Sequence, residues 1–95
     1  MLFIQQGLMA QTATLTGVLL DASNNPIENV NIQANLLGTT SNRNGFYKLD
    51  ITADIEVKVT YSHINYKSVS VVFSLKDGEV YEFNPVLKLD IEQIE

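Results

Sequence analysis

The chain has no cysteine and no tryptophan, only two prolines and five glycines, and a single histidine among its 95 residues. Without cysteine, disulfide scaffolds, thiolate metal sites and cysteine nucleophiles are excluded. One imidazole, His63, cannot assemble a zinc site, and no Gly-x-Ser-x-Gly elbow accompanies it for nucleophilic catalysis. Basic residues are also scarce, with six Lys and Arg against eleven Asp and Glu and a net charge of −5. They are scattered as Arg43, Lys48, Lys58, Lys67, Lys76 and Lys88. The absence of a basic stripe argues against nucleic acid and against direct insertion into an anionic membrane. Apolar residues make up 45% and charged residues 18% of a length that suits one folded domain. A chain of this size buries roughly 60–65% of the surface it exposes when unfolded, enough for one modest core.

What is present is period-two hydrophobicity, which marks half-buried strands. Ile55, Val57, Val59 and Tyr61 alternate with polar residues, and Val69, Val71, Phe73 and Leu75 alternate mostly with Ser68, Ser70 and Ser74. Val30, Ile32 and Ala34 form a third such set, and Tyr47, Leu49 and Ile51 a fourth, with Phe46 on the opposite parity and so on an outer face. Tyr81, Phe83 and Leu87 share a parity near the end, and Thr12 to Leu20 is β-branched and apolar. Ser23 to Pro26, Asn42 to Gly45 and Lys76 to Gly78 carry turn residues between these runs. Pro26 is expected to open a strand, where its missing N–H costs little. About seven short strands and no helical period predict an all-β, seven-strand antiparallel sandwich. The expected interior is Val30, Ile32, Tyr47, Leu49, Val57, Val59, Val69, Val71 and Phe73.

The two ends read differently from the middle. Residues 1–10, with Leu2, Phe3, Ile4, Leu8 and Met9 and no charge, read as a signal-peptide remnant or leader ending at Ala10. Residues 11–88 form the sandwich. Residues 89–95 are acidic with spaced Ile91 and Ile94, and fit either a linker or an extension of the last strand.

Little catalytic chemistry is on offer. His63 follows an alternating strand and is expected to be a polar loop residue. Asp21, Asn24, Asn25 and Glu28, and separately Asn42 and Asn44, are oxygen-rich, and calcium favours such ligands. They lack the set of acids that a calcium loop needs, so turn chemistry is the expected role. Asp77, Glu79 and Glu82 are expected to be solvated. No catalytic, cofactor or metal residue is assigned.

The order of motifs resembles the carboxypeptidase regulatory-like domain, a transthyretin-like β-sandwich. The residues that carry the resemblance are Gly17-Val-Leu-Leu-Asp21, Asn25-Pro-Ile27, Val30-Asn-Ile32, Gly38-Thr39, Ser41-Asn-Arg-Asn-Gly45, Tyr47-Lys-Leu49, Val57-Lys-Val-Thr-Tyr61 and Tyr66. Asn42 stands where the pattern usually has Asp, and Asn65 where it commonly has Gly, which weakens any cation role for the first turn. The resemblance implies no catalytic residues. In Bacteroidetes-type envelopes such domains precede the plug of TonB-dependent outer-membrane receptors, and Ala10-Gln11 followed at once by the sandwich is similar to that arrangement. It implies an exported, periplasmic accessory domain whose partner is a downstream plug and barrel, a neighbouring domain or another envelope protein. Surface or secreted adhesion modules, for glycan or protein, and zinc carboxypeptidases carry the same domain and imply the alternative contexts. Hydroxyisourate hydrolases share the fold, but their His, Arg and Tyr-Arg-Gly-Ser signatures are absent.

Overall fold

The computed structural model describes residues 11–91. Among them lie β1 (Thr12–Val18), β2 (Leu20–Asp21), β3 (Asn31–Ala34), β4 (Leu37–Thr40), β5 (Phe46–Thr52), β6 (Glu56–His63), β7 (Tyr66–Ser74), β8 (Val80–Glu82) and β9 (Val86–Leu87). Seven strands of three residues or more build two sheets, β5-β1-β8 and β4-β3-β6-β7, while β2 pairs with β9 alone. The inner faces of the two sheets share one core, so the chain is the two-layer β-sandwich that its alternation predicts. Residues 1–10 and 92–95, and with them the leader reading and most of the tail, lie outside the described residues.

The pairing is not wholly antiparallel. β1 pairs with β8, and β2 with β9, in parallel. The reason is where the chain enters. β7 ends beside the start of β1, since Gly78 N–H donates to Thr12 O and Thr14 N–H to Glu79 O. A strand that crosses to the other sheet at that end can only run the same way as β1. Gly78, at φ 81°, makes the crossing turn, and Gly45, at φ 79°, closes the turn before β5. Asn24, Asn29, Asn35 and Asp54 also take positive φ, which short polar side chains tolerate best after glycine.

Val30, Ile32, Tyr47, Leu49, Val57, Val59 and Phe73 are buried as expected, joined by Leu15, Leu19, Ile27, Ile51, Tyr61 and Leu87. Val69 and Val71 are only half-buried, which corrects their place in the expected interior. They lie on β7, the outermost strand of its sheet, with a neighbour on one side only among the described residues. β7 also carries an extra residue. Between the pairs Tyr61↔Val69 and His63↔Tyr66 it advances three residues while β6 advances two, and Lys67 and Ser68 both turn to solvent there. Ile55 and Tyr81 follow the alternation yet stay exposed, Ile55 because it precedes β6 and Tyr81 because β8 is an edge. Pro26 opens no strand. It forms an isolated bridge with Leu20, and β3 begins at Asn31.

Candidate functional site

The residues that could carry chemistry are far apart and already bonded. His63 ends β6, at the hairpin rather than beyond it, where its Nδ1 accepts the Asn65 N–H at 3.1 Å and its ring meets Tyr66 edge-on. Asp21 Oδ1 accepts the N–H groups of Ser23 and Asn25 at 2.8 and 2.9 Å. The bond from the Asn25 backbone, aided by Ser23 and opposed by partial desolvation, holds the Asp21 carboxyl below its usual value. Asn42 Oδ1 accepts from Asn44 and Phe46 in the same manner. Both oxygen-rich stretches therefore spend side-chain oxygens on turns, as their composition predicts. Glu79 caps the Lys76 N–H at 2.9 Å, and Glu82 bonds to Asn84 at 3.3 Å. Among the described residues no group of three or more His, Asp and Glu converges to hold a metal.

Two clefts sit at the two ends of the sandwich. One, of about 370 Å³, is floored by Leu87, Leu89 and Ile91 and walled by Asp21, Ser23 and Tyr66. The start of the tail forms part of it, because Leu89 bridges to Tyr66 and Asp90 N–H donates to Asn65 O. The other, of about 220 Å³, lies under the β3–β4 hairpin between Ala34, Leu37, Ile51 and Val57, and Leu36 at the hairpin tip is 97% exposed. Neither brings a nucleophile together with the single histidine.

Among the described residues, one flank of the sandwich is open. β7 and β8 are the edge strands on that side, and Phe73 links them by edge-on contacts to Tyr81 at 5.9 Å and Phe83 at 5.3 Å. Among the described residues, β7 bonds only to β6 from Ser68 to Ser74. That stretch holds no charge, no proline and no glycine, the usual guards of an edge strand. Val72 is 58% exposed and Tyr81 43% exposed beside it.

Behind this flank the core contains a polar device that alternation alone does not reveal. Tyr47 OH donates to Phe83 O at 2.8 Å, and Tyr47 OH and Tyr61 OH lie 2.9 Å apart. Burial pushes both phenols up; for Tyr61 the bond to Tyr47 and the charge Tyr47 would carry add to the rise, while for Tyr47 the same bond works against it. Gly17 stands over the pair. A Cβ there would meet Tyr47 Cε1 at 2.7 Å and strike the Phe83 carbonyl oxygen. Ser41 is a second buried polar group that patterning misses. Its Oγ donates to Ile27 O at 2.7 Å and accepts the Val30 N–H at 2.9 Å.

Fold and surface together define a small two-sheet β-sandwich domain with an apolar flank. The chain belongs to the CarboxypepD_reg-like domain family, whose model matches residues 15–95. It is thus an accessory, non-catalytic type of domain. No curated protein matches it. Among solved structures it is similar to the 3-chlorocatechol 1,2-dioxygenase of Rhodococcus opacus 1CP, with 8% identity and a TM-score of 0.67 over 85% of this chain and 61% of that one. A catechol 1,2-dioxygenase mutant of Acinetobacter radioresistens gives 13% identity and a TM-score of 0.67 over 93% and 55%. The Bacillus anthracis TIE protein gives 14% and 0.66 over 83% and 17%. At these identities the likeness is one of fold alone, and the chain spans less than two thirds of each of these proteins.

Proposed function

We propose that the domain is a non-catalytic, periplasmic accessory module of a TonB-dependent outer-membrane transporter, positioned against a plug, a barrel or a neighbouring domain. The observation that carries this reading is the combination of family and surface. The chain belongs to an accessory-domain family. The Asp21 and Asn42 side chains are spent on turns, while the floors of its clefts and its open edge are apolar. Such a surface suits holding a partner, and among the described residues no catalytic constellation converges. The apolar sequence ending at Ala10, followed at once by the sandwich, supports export, and the resemblance in motif order supports the transporter context.

The test is made in the native host, with the chromosomal gene tagged. The product should fractionate with the outer membrane. Deleting residues 12–88 should reduce uptake or assembly while the downstream barrel is still made. A mature product that runs as a free species no larger than the 10.6 kDa chain would sink the transporter reading and favour a stand-alone binding module.

A further inference from the structure

We infer that the open edge of β7 pairs with the same edge of a second copy of this chain, antiparallel about a two-fold axis at Val71. The two four-stranded sheets would then join into one of eight.

Three observations converge on a second copy. The first is the burial pattern. Val69 and Val71 face inward by parity yet remain half-buried, and Tyr81 beside them is 43% exposed. Among the described residues, the edge thus shows apolar side chains that no other element covers. The second is self-complementarity. With Val71 opposite its own copy, Val69 falls opposite Phe73, Ser70 opposite Val72 and Ser68 opposite Ser74. Apolar inner residues meet apolar ones, and no charge falls opposite its like within the run.

The third observation is charge. In a chain of net charge −5, the two ends of β7 differ in sign. At its start Lys67 and Lys88 are adjacent, since Lys67 N–H donates to Lys88 O. Like charges so placed repel each other. At its other end stand Glu56, opposite Ser74, and Asp77 and Glu79 in the following turn, with Lys76 among them. An antiparallel two-fold brings the lysine end of each copy level with the acidic end of the other. A parallel pairing would stack lysine on lysine. A two-fold interface of this kind uses one patch twice and closes on itself, so it yields a dimer and not a fibre.

The test uses the 95-residue chain. In sedimentation equilibrium from about 1 µM to 1 mM, monomer and dimer should be equally populated at roughly 10–500 µM, the weak range of an interface below standard size. Val72→Lys, on the solvent side of the edge, should weaken the dimer at least about tenfold. Lys67→Glu should weaken it as well, and adding Asp77→Lys to that variant should restore it. Because the chain has no cysteine, Val71→Cys should form an intermolecular disulfide under mild oxidation, and Phe46→Cys, on β5 at the opposite flank, should not. A chain that stays monomeric through the whole range would overturn the inference. So would a dimer that survives Val72→Lys, or one that cross-links from Phe46→Cys as readily as from Val71→Cys.

Discussion

Tyr61 donates its hydroxyl proton to Tyr47, and Tyr47 donates its own to the Phe83 carbonyl. The direction follows from counting protons. Tyr47 has one, its bond to Phe83 O uses it at 2.8 Å, and the 2.9 Å contact with Tyr61 must then be donated from the other side. The chain of bonds runs from β6 through β5 to the segment after β8, so one polar thread ties both sheets to the chain's last crossing.

The two tyrosines are therefore not equivalent. Tyr61→Phe removes one donor and leaves Tyr47 bonded to Phe83, at a cost of about 1 kcal/mol. Tyr47→Phe leaves both the Tyr61 hydroxyl and the Phe83 carbonyl without a partner, at a cost of about 2–4 kcal/mol. Urea unfolding of the two variants should place Tyr47→Phe clearly below Tyr61→Phe. Equal midpoints would show that the thread is not directional.

The same pair sets the alkaline limit. Both phenols are raised above the ordinary tyrosine value of about 10, so the unfolded chain releases these protons before the folded one does. The folded state then holds more protons, and stability falls as pH rises above about 10. Tyrosinate absorbance from Tyr47 and Tyr61 should appear together with the loss of β-sheet signal, and Tyr61→Phe should make the decline with pH shallower.

Acid acts through Asp21. Its carboxyl is lowered from 3.8, so its contribution is present above that value and is lost as pH falls through the lower folded value. Stability measured from pH 6 down to pH 2 should decline below about pH 4. Asp21→Asn, which keeps an acceptor for Ser23 and Asn25 but cannot titrate, should flatten that part of the curve. An unchanged curve would mean that the carboxyl in the Asx turn contributes nothing.

Gly17 tests close approach rather than turn freedom. Gly17→Ala drives a methyl into the Phe83 carbonyl and the Tyr47 ring. Because the obstacle is partly backbone, the cost should be at least the ~1–3 kcal/mol of an overpacked core. Hydrogen exchange of the Phe83 amide, which donates to Thr16 O, should speed up more than that of the amides in β3.

Ser41→Ala should cost about 2 kcal/mol, since it strips partners from the buried Ile27 carbonyl and Val30 amide while leaving almost no cavity. Thermal melts read this directly. Replacing exposed Ser68 by Ala should leave the melting temperature nearly unchanged and serves as the control.

Sequence by itself determined the class of fold. Alternation is a local property, because neighbouring side chains on a strand point to opposite faces whatever the topology. So Val57, Val59, Tyr47 and Leu49 could be assigned to an interior before any partner strand was known. Turn chemistry was equally local, and the Asp21 and Asn42 turns use the oxygens that their residue types offer. The lack of cysteine and the single histidine excluded thiolate sites and sites built from several histidines in the same direct way.

Only the tertiary structure decided which strands became edges. Val69 and Val71 carry the same pattern as Val57 and Val59, yet they are half-exposed because, among the described residues, β7 has no neighbour on its far side. That Thr12 meets Gly78, and so that β8 runs parallel to β1, depends on where β7 ends in space. The Tyr47–Tyr61 thread, the need for Gly17 beneath Phe83 and the burial of Ser41 join residues 11 to 66 positions apart. No periodicity encodes such contacts, because they are made by the packing of two sheets and not by the conformation of one strand.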